Sequence, residues 1–129
     1  MPKTVSITTE VYCTLQAEGI HRFPGCPYTE VPYLKDPHRH IFQIKAWTKV
    51  SHDNRDVEFI CLKHEIKSYL YDQYFNSEWR LFDFDTKSCE MIAKELISKF
   101  GLSRCEVSED GENGAIVTVG QEIVQSETH

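Results

Sequence analysis

The sequence predicts an α+β fold in which two helices cover one face of a four-stranded antiparallel sheet. Three features lead to this expectation: two long alternating runs open the chain, two segments with helical spacing follow, and two short alternating runs close it. The order is thus β-β-α-α-β-β, and helices grouped in this way pack on one side of an antiparallel sheet. At 129 residues the chain is expected to be one domain, 1–129, with flexible ends at 1–3 and from about Gln121.

In the first run Val5, Ile7, Thr9, Val11, Cys13, Leu15 and Ala17 share one face, and Ser6, Thr8, Glu10, Tyr12, Thr14 and Gln16 share the other. Period two over that length predicts a half-buried strand. Gly19 offers a place for a bulge or bend, with His21 just beyond it. Pro24-Gly25, Pro27, Pro32 and Pro37 then break up the chain into a loop. The second run keeps its parity, His38, His40, Phe42, Ile44, Ala46, Thr48 and Val50 lying on one face.

Beyond the polar turn Ser51–Arg55, Leu62, Ile66, Leu70 and Tyr74 form the apolar stripe of a helix, and His64 falls off it toward solvent. The aromatic stretch Tyr71–Asp85 reads as a packed, irregular connection. A second helix follows, capped by Asp85 or Thr86, striped by Cys89, Ile92, Ala93, Leu96 and Phe100, and ended by Gly101. Arg104–Ser108 and Ala115–Val119 read as a closing hairpin, with Asp110-Gly111 and Asn113-Gly114 as turn residues.

Composition narrows the function. A formal net charge of -6 argues against a sequence-independent grip on nucleic acid, which needs a basic face. No apolar run is long enough to span a bilayer and no basic-then-apolar leader opens the chain, so a cytoplasmic protein without membrane contact is expected. The five cysteines include no C-x-x-C pair, which speaks against both a disulfide framework and a thiolate zinc site.

The chemistry concentrates at His38-Arg39-His40. Two His at i and i+2 of an extended chain point to one face, where their imidazoles can converge on a metal ion. His21, at the end of the first strand, is the candidate third ligand, because a hairpin of the two runs would bring it alongside. Three imidazoles with an open fourth position suit a catalytic Zn2+. The same residues also read as polar side chains at a strand entrance. Cys26 shares the loop with these His, and a thiol near a cation would have a lowered pKa.

From about Glu10 to Val119 the chain resembles the pyruvoyl-tetrahydropterin synthase family, which includes carboxy-tetrahydropterin synthase, on the tunnelling T-fold. The carrying residues are His21-Arg22, His38-Arg39-His40, Asp56-Val-Glu-Phe59 with Leu62-Lys63, Thr86 to Glu90, and Val107-Ser-Glu109 with Ala115 six residues on. The resemblance implies a zinc held by His21, His38 and His40, a pterin ring gripped by Glu109, and a homo-oligomer, most simply a hexamer of two trimers. A carboxylate suits that grip, since its two oxygens accept the paired N–H donors of an amino-pyrimidinone edge.

Two family features are missing. Leu34 stands where the family has its catalytic Cys, and Gln73, in Tyr71-Asp72-Gln73, stands where it has a catalytic His; neither replacement exchanges a proton near neutral pH. Three functions remain open: a zinc enzyme on a pterin or purine-like substrate with Cys26 as substitute thiol, a protein that binds such a metabolite without turnover, and an oligomeric interaction protein with a structural zinc.

Overall fold

Two long strands form the frame. β1 (Thr9–His21) and β2 (His38–Val50) pair antiparallel along their whole length, from Thr9 opposite Val50 to His21 opposite His38. Their alternation buries Cys13, Leu15 and Ala17 from β1 and Phe42, Ile44 and Ala46 from β2 on one face. In this computed structural model, which describes residues 5–120, the first strand starts at Thr9 rather than Val5. The reason is pairing: β2 ends at Val50, the partner of Thr9, so Val5 and Ile7 have no place in the ladder and stay exposed. The expected flexible ends, 1–3 and from about Gln121, lie outside the described residues.

Helix α1 (Phe59–Tyr74) is capped by Glu58, whose carboxylate accepts the Ile60 N–H at 3.1 Å. Leu62, Ile66 and Leu70 of the predicted stripe are buried, its fourth member Tyr74 is partly buried, and His64 is exposed. Two short strands follow, β3 (Phe75–Asn76) and β4 (Leu81–Asp83), and then α2 (Cys89–Phe100). The cap of α2 is Ser88, accepting from Met91 N–H at 3.2 Å, instead of Asp85 or Thr86. Asp85 is occupied elsewhere: it sits at φ 53 and its carbonyl takes the Arg22 N–H at 2.8 Å. Gly101 ends α2 in the left-handed conformation, φ 63, as its position suggested.

The last two strands are β5 (Arg104–Glu109) and β6 (Asn113–Thr118), joined by a turn in which Asp110 and Gly111 have φ 57 and 71. Asn113 and Gly114 belong to β6 and not to a turn, since Glu109 already pairs with Asn113. Both helices pack on the same sheet face, where Ile66, Leu70, Ile92 and Leu96 meet Phe42, Ile44, Cys105 and Val107 in one core. No helix among the described residues is long and apolar enough to cross a membrane.

The class is α+β, but the sheet is not the expected four-stranded antiparallel one. It has six strands in the order β3-β4-β1-β2-β5-β6 and is mixed, because β4 runs parallel to β1 through the pairs Gly19–Phe82 and Ile20–Asp83. The aromatic connection therefore holds a small hairpin, whose turn is set by Asn76 Oδ1 accepting the Glu78 and Trp79 N–H groups, each at 3.0 Å. Gly19 makes the added pairing possible. It forms no bulge, for the β1–β2 register is unbroken, and a Cβ there would meet the Phe82 carbonyl at 2.8 Å.

A polar cluster ties α1, α2 and the segment before α2 together. Tyr69 and Tyr74 donate to Glu95 at 2.8 and 2.5 Å, and the Lys87 ammonium reaches both Glu95 and the Tyr74 hydroxyl. Burial alone would raise the Glu95 pKa and lower that of Lys87. The contacts outweigh it: Lys87 and the tyrosines hold Glu95 below the usual carboxylate range, while Glu95 and Tyr74 push Lys87 up to about 12. The Glu95 contribution to stability is complete above the ordinary carboxylate pKa and is lost as pH falls through its lower folded value. That of Lys87 is complete below the ordinary lysine pKa and is lost as pH rises through about 12. A stability plateau from roughly pH 5 to pH 10 is expected from this cluster. Within it, Glu95→Gln should cost about 1–2 kcal/mol, a value reduced for partial exposure. Denaturant unfolding of both proteins across pH checks this, the difference shrinking in acid; an equal difference at pH 2 would refute the linkage.

Candidate metal centre

The β1–β2 register builds the centre. His21 ends β1 directly opposite His38, which opens β2, and His40 lies opposite Gly19, two residues further along the same face. Ring centroids are 4.6 Å apart for His21 and His38, 5.0 Å for His38 and His40, and 5.4 Å for His21 and His40. One nitrogen from each ring lies within 4.8 Å of the others. His21 is the buried polar residue among the core side chains, and the other two are partly buried.

Each Nδ1 has an acceptor of its own. His21 Nδ1 donates to the Lys87 carbonyl at 2.9 Å, His38 Nδ1 to the Asp36 carbonyl at 2.9 Å, and His40 Nδ1 to Asp110 Oδ2 at 2.8 Å. Carbonyls and carboxylates only accept, so the proton of each neutral ring resides on Nδ1 and the Nε2 lone pairs are left free. This is the arrangement that outer partners impose on metal-binding imidazoles. Asp110 is itself fixed, its Oδ1 taking the Ile41 N–H at 2.8 Å; that bond first, then His40, holds its carboxyl below the usual range.

Glu109 stands on the Nε2 side. Its Oε1 is 3.0 Å from His21 Nε2 and its Oε2 is 3.4 Å from His40 Nε2, yet neither contact has hydrogen-bond alignment, so both nitrogens are buried without a hydrogen-bond partner. Orphaned buried acceptors of this kind are costly unless something fills the space between them. Imidazole nitrogens with an adjacent carboxylate are the donor types that zinc takes, and the residues present fit such an ion. Burial opposes charging of His21, but Glu109 and the Lys87 carbonyl outweigh it and raise its pKa; Glu109 is correspondingly held low, chiefly by His21 against its own burial.

Beside the cluster opens a pocket of about 520 Å³ whose walls include His21, His38, Glu109, Phe23, Leu34 and Cys89. Cys26, the loop thiol, is not part of this wall; its Sγ lies 3.8 Å from the Val31 carbonyl within its own loop. The thiol that does face the pocket is Cys89, 3.9 Å from Glu109 Oε1, and burial first, then Glu109, pushes its pKa up to about 12. Its helical spacing pointed only to a core residue. Asp110 and Lys87 also escaped the sequence reading, because a turn Asp-Gly and a lysine before a helix have sufficient local explanations and their His partners are 70 and 66 residues away. Asp72 and Gln73 are exposed on α1, outside the pocket wall.

The arrangement predicts one zinc per chain in the wild type and its loss in His38→Ala and in His40→Ala, checked by metal analysis. Because the ligating nitrogens must be unprotonated, affinity should fall as pH drops through the imidazole range. Full zinc content in both variants would remove these residues from the centre. No protein-family model matches the chain, and no curated protein matches it.

Proposed function

We propose that this chain is a zinc-dependent, lyase-like protein acting on a pterin or purine-like molecule, a divergent relative of the tetrahydropterin synthases on the T-fold. The observation that carries the reading is the convergence of three imidazoles, each Nδ1 satisfied and two Nε2 atoms buried without hydrogen-bond partners, beside a pocket sized for a small ring whose wall includes His21 and His38. His21, His38 and His40 would hold the zinc, which would supply Lewis acidity toward a carbonyl or hydroxyl oxygen of the substrate. Phe23 and Leu34 supply apolar wall for a flat ring, and Glu109 supplies acceptor oxygens for its N–H edge.

Binding without turnover is the second reading, and one observation favours it. The thiol position of the family is Leu34, and the pocket's own thiol, Cys89, is held protonated by burial and by Glu109. Among the described residues Cys89 is the one thiol on the pocket wall, so no second thiol stands there for the family's proton transfer. Purification with the metal retained, followed by mass spectrometry of the released small molecules, is expected to give a pterin or purine-like compound. Incubation with dihydroneopterin triphosphate should yield little or none of the family's product. Normal turnover would contradict the account of the missing groups, and a released ligand without a fused heteroaromatic ring would contradict the substrate class.

The reading includes a homo-oligomer, a hexamer of two trimers. Among the described residues β6 pairs only with β5, and Ile116 on it is exposed, so this edge is free to pair with another chain. Joining several such sheets into a barrel would satisfy the open backbone groups. Light scattering at micromolar concentration should give a mass near six chains; a monomer mass would end this part of the reading.

A further inference from the structure

We propose that Asp110 is the positioning residue that makes His40 a metal ligand, its carboxylate holding the ring in the tautomer whose Nε2 lone pair is free for the ion. The inference rests on the metal reading above for His40 as a ligand, and concerns what keeps that ligand competent. The three imidazoles are not held alike. His21 and His38 give their Nδ1 protons to the main-chain carbonyls of Lys87 and Asp36, which have no net charge and which no substitution removes. Among the described residues, His40 is the member of the cluster whose Nδ1 acceptor is a side chain, Asp110 Oδ2 at 2.8 Å. A carboxylate behind an imidazole fixes its tautomer and orientation and makes the opposite nitrogen a stronger donor to a metal.

Asp110 is fastened in place for this contact. Its N–H donates to the Ile41 carbonyl and its Oδ1 accepts the Ile41 N–H, each at 2.8 Å, so backbone and side chain both tie it to the residue next to His40. The carboxylate thus gives one oxygen to the strand backbone and the other to the ring. An asparagine has a single acceptor oxygen for these two donors. The Ile41 N–H cannot move its proton, so the amide oxygen goes to it and the NH2 group is left facing His40 Nδ1. The ring meets that donor by shifting its own proton to Nε2, where Glu109 Oε2 stands 3.4 Å away as an acceptor. The nitrogen needed by a metal is then blocked. Asp110 itself sits in the left-handed region, φ 57, which Asn and Gly also tolerate, so both replacements suit the turn.

The test reads ring tautomers by imidazole nitrogen NMR on the metal-free full chain, at a pH above the imidazole range, and zinc affinity by chelator competition. Wild-type His40 should carry its proton on Nδ1. Asp110→Asn should move that proton to Nε2, leave His38 unchanged, and weaken zinc by about 10–100-fold, the scale of outer-partner losses. Asp110→Gly, which offers His40 neither acceptor nor donor, should bind zinc more weakly than the wild type but more tightly than Asp110→Asn. A purely structural turn residue would give the opposite order, since Asn keeps the bond to Ile41 and Gly loses it, and that order overturns the proposal. So does a wild-type His40 proton on Nε2, or a tautomer and zinc affinity unchanged in Asp110→Asn; each leaves the metal reading intact. A wild type that takes up no zinc overturns both. Where Asp110→Asn does not fold, the wild-type tautomer and Asp110→Gly still decide, full zinc affinity in the glycine variant counting against the proposal.

Discussion

Everything in this molecule depends on the register of one antiparallel ladder. Because strand side chains alternate with period two, the pairing that puts His21 opposite His38 also puts Ala17 opposite Phe42 and Cys13 opposite Ala46. The imidazoles and the core therefore lie on a single face of the same two strands. A slip of β2 by one residue would turn His38 and His40 to the open side, away from His21, and expose Phe42, Ile44 and Ala46 with them. Burial of the core, a strong and undirected force, thus fixes the position of groups whose chemistry needs directed placement.

Much of the fold was legible because its long elements repeat. The two frame strands, the α1 stripe and the Gly101 stop all have periodic or local signals that suffice for their assignment. The failures occurred where elements are too short to repeat. β3 and β4 contain two and three residues, and their cause is a contact distant in sequence: Gly19 lets the Phe82 carbonyl approach β1. The cap of α2 moved from Asp85 to Ser88 for a similar reason, Asp85 being committed to Arg22 across the fold.

At the site, residue types were legible and partnerships were not. The i, i+2 spacing of His38 and His40 and the placement of His21 at a strand end sufficed to propose a cluster. Nothing in the sequence indicated that Glu109 would face Nε2 atoms, that Asp110 would hold His40, or that Cys89 instead of Cys26 would line the pocket. These depend on β5 lying beside β2 and on α2 starting beside β5, which are properties of the tertiary arrangement. A thiol in a proline-rich loop is close to the His in sequence, yet its own loop turns it to the Val31 carbonyl.

Lys87 connects two parts of the molecule that otherwise have little in common. Its carbonyl fixes the orientation of the His21 ring, while its ammonium, on the opposite side of the same residue, joins Glu95 and Tyr74 between the helices. One backbone unit is thereby loaded from both ends. The contact between α1 and α2 and the orientation of the His21 imidazole therefore share one residue, although Tyr69, Tyr74 and Glu95 themselves have no hydrogen bond to that ring. The residue that anchors the helix contact is thus also the one that sets how an imidazole faces the strand ends.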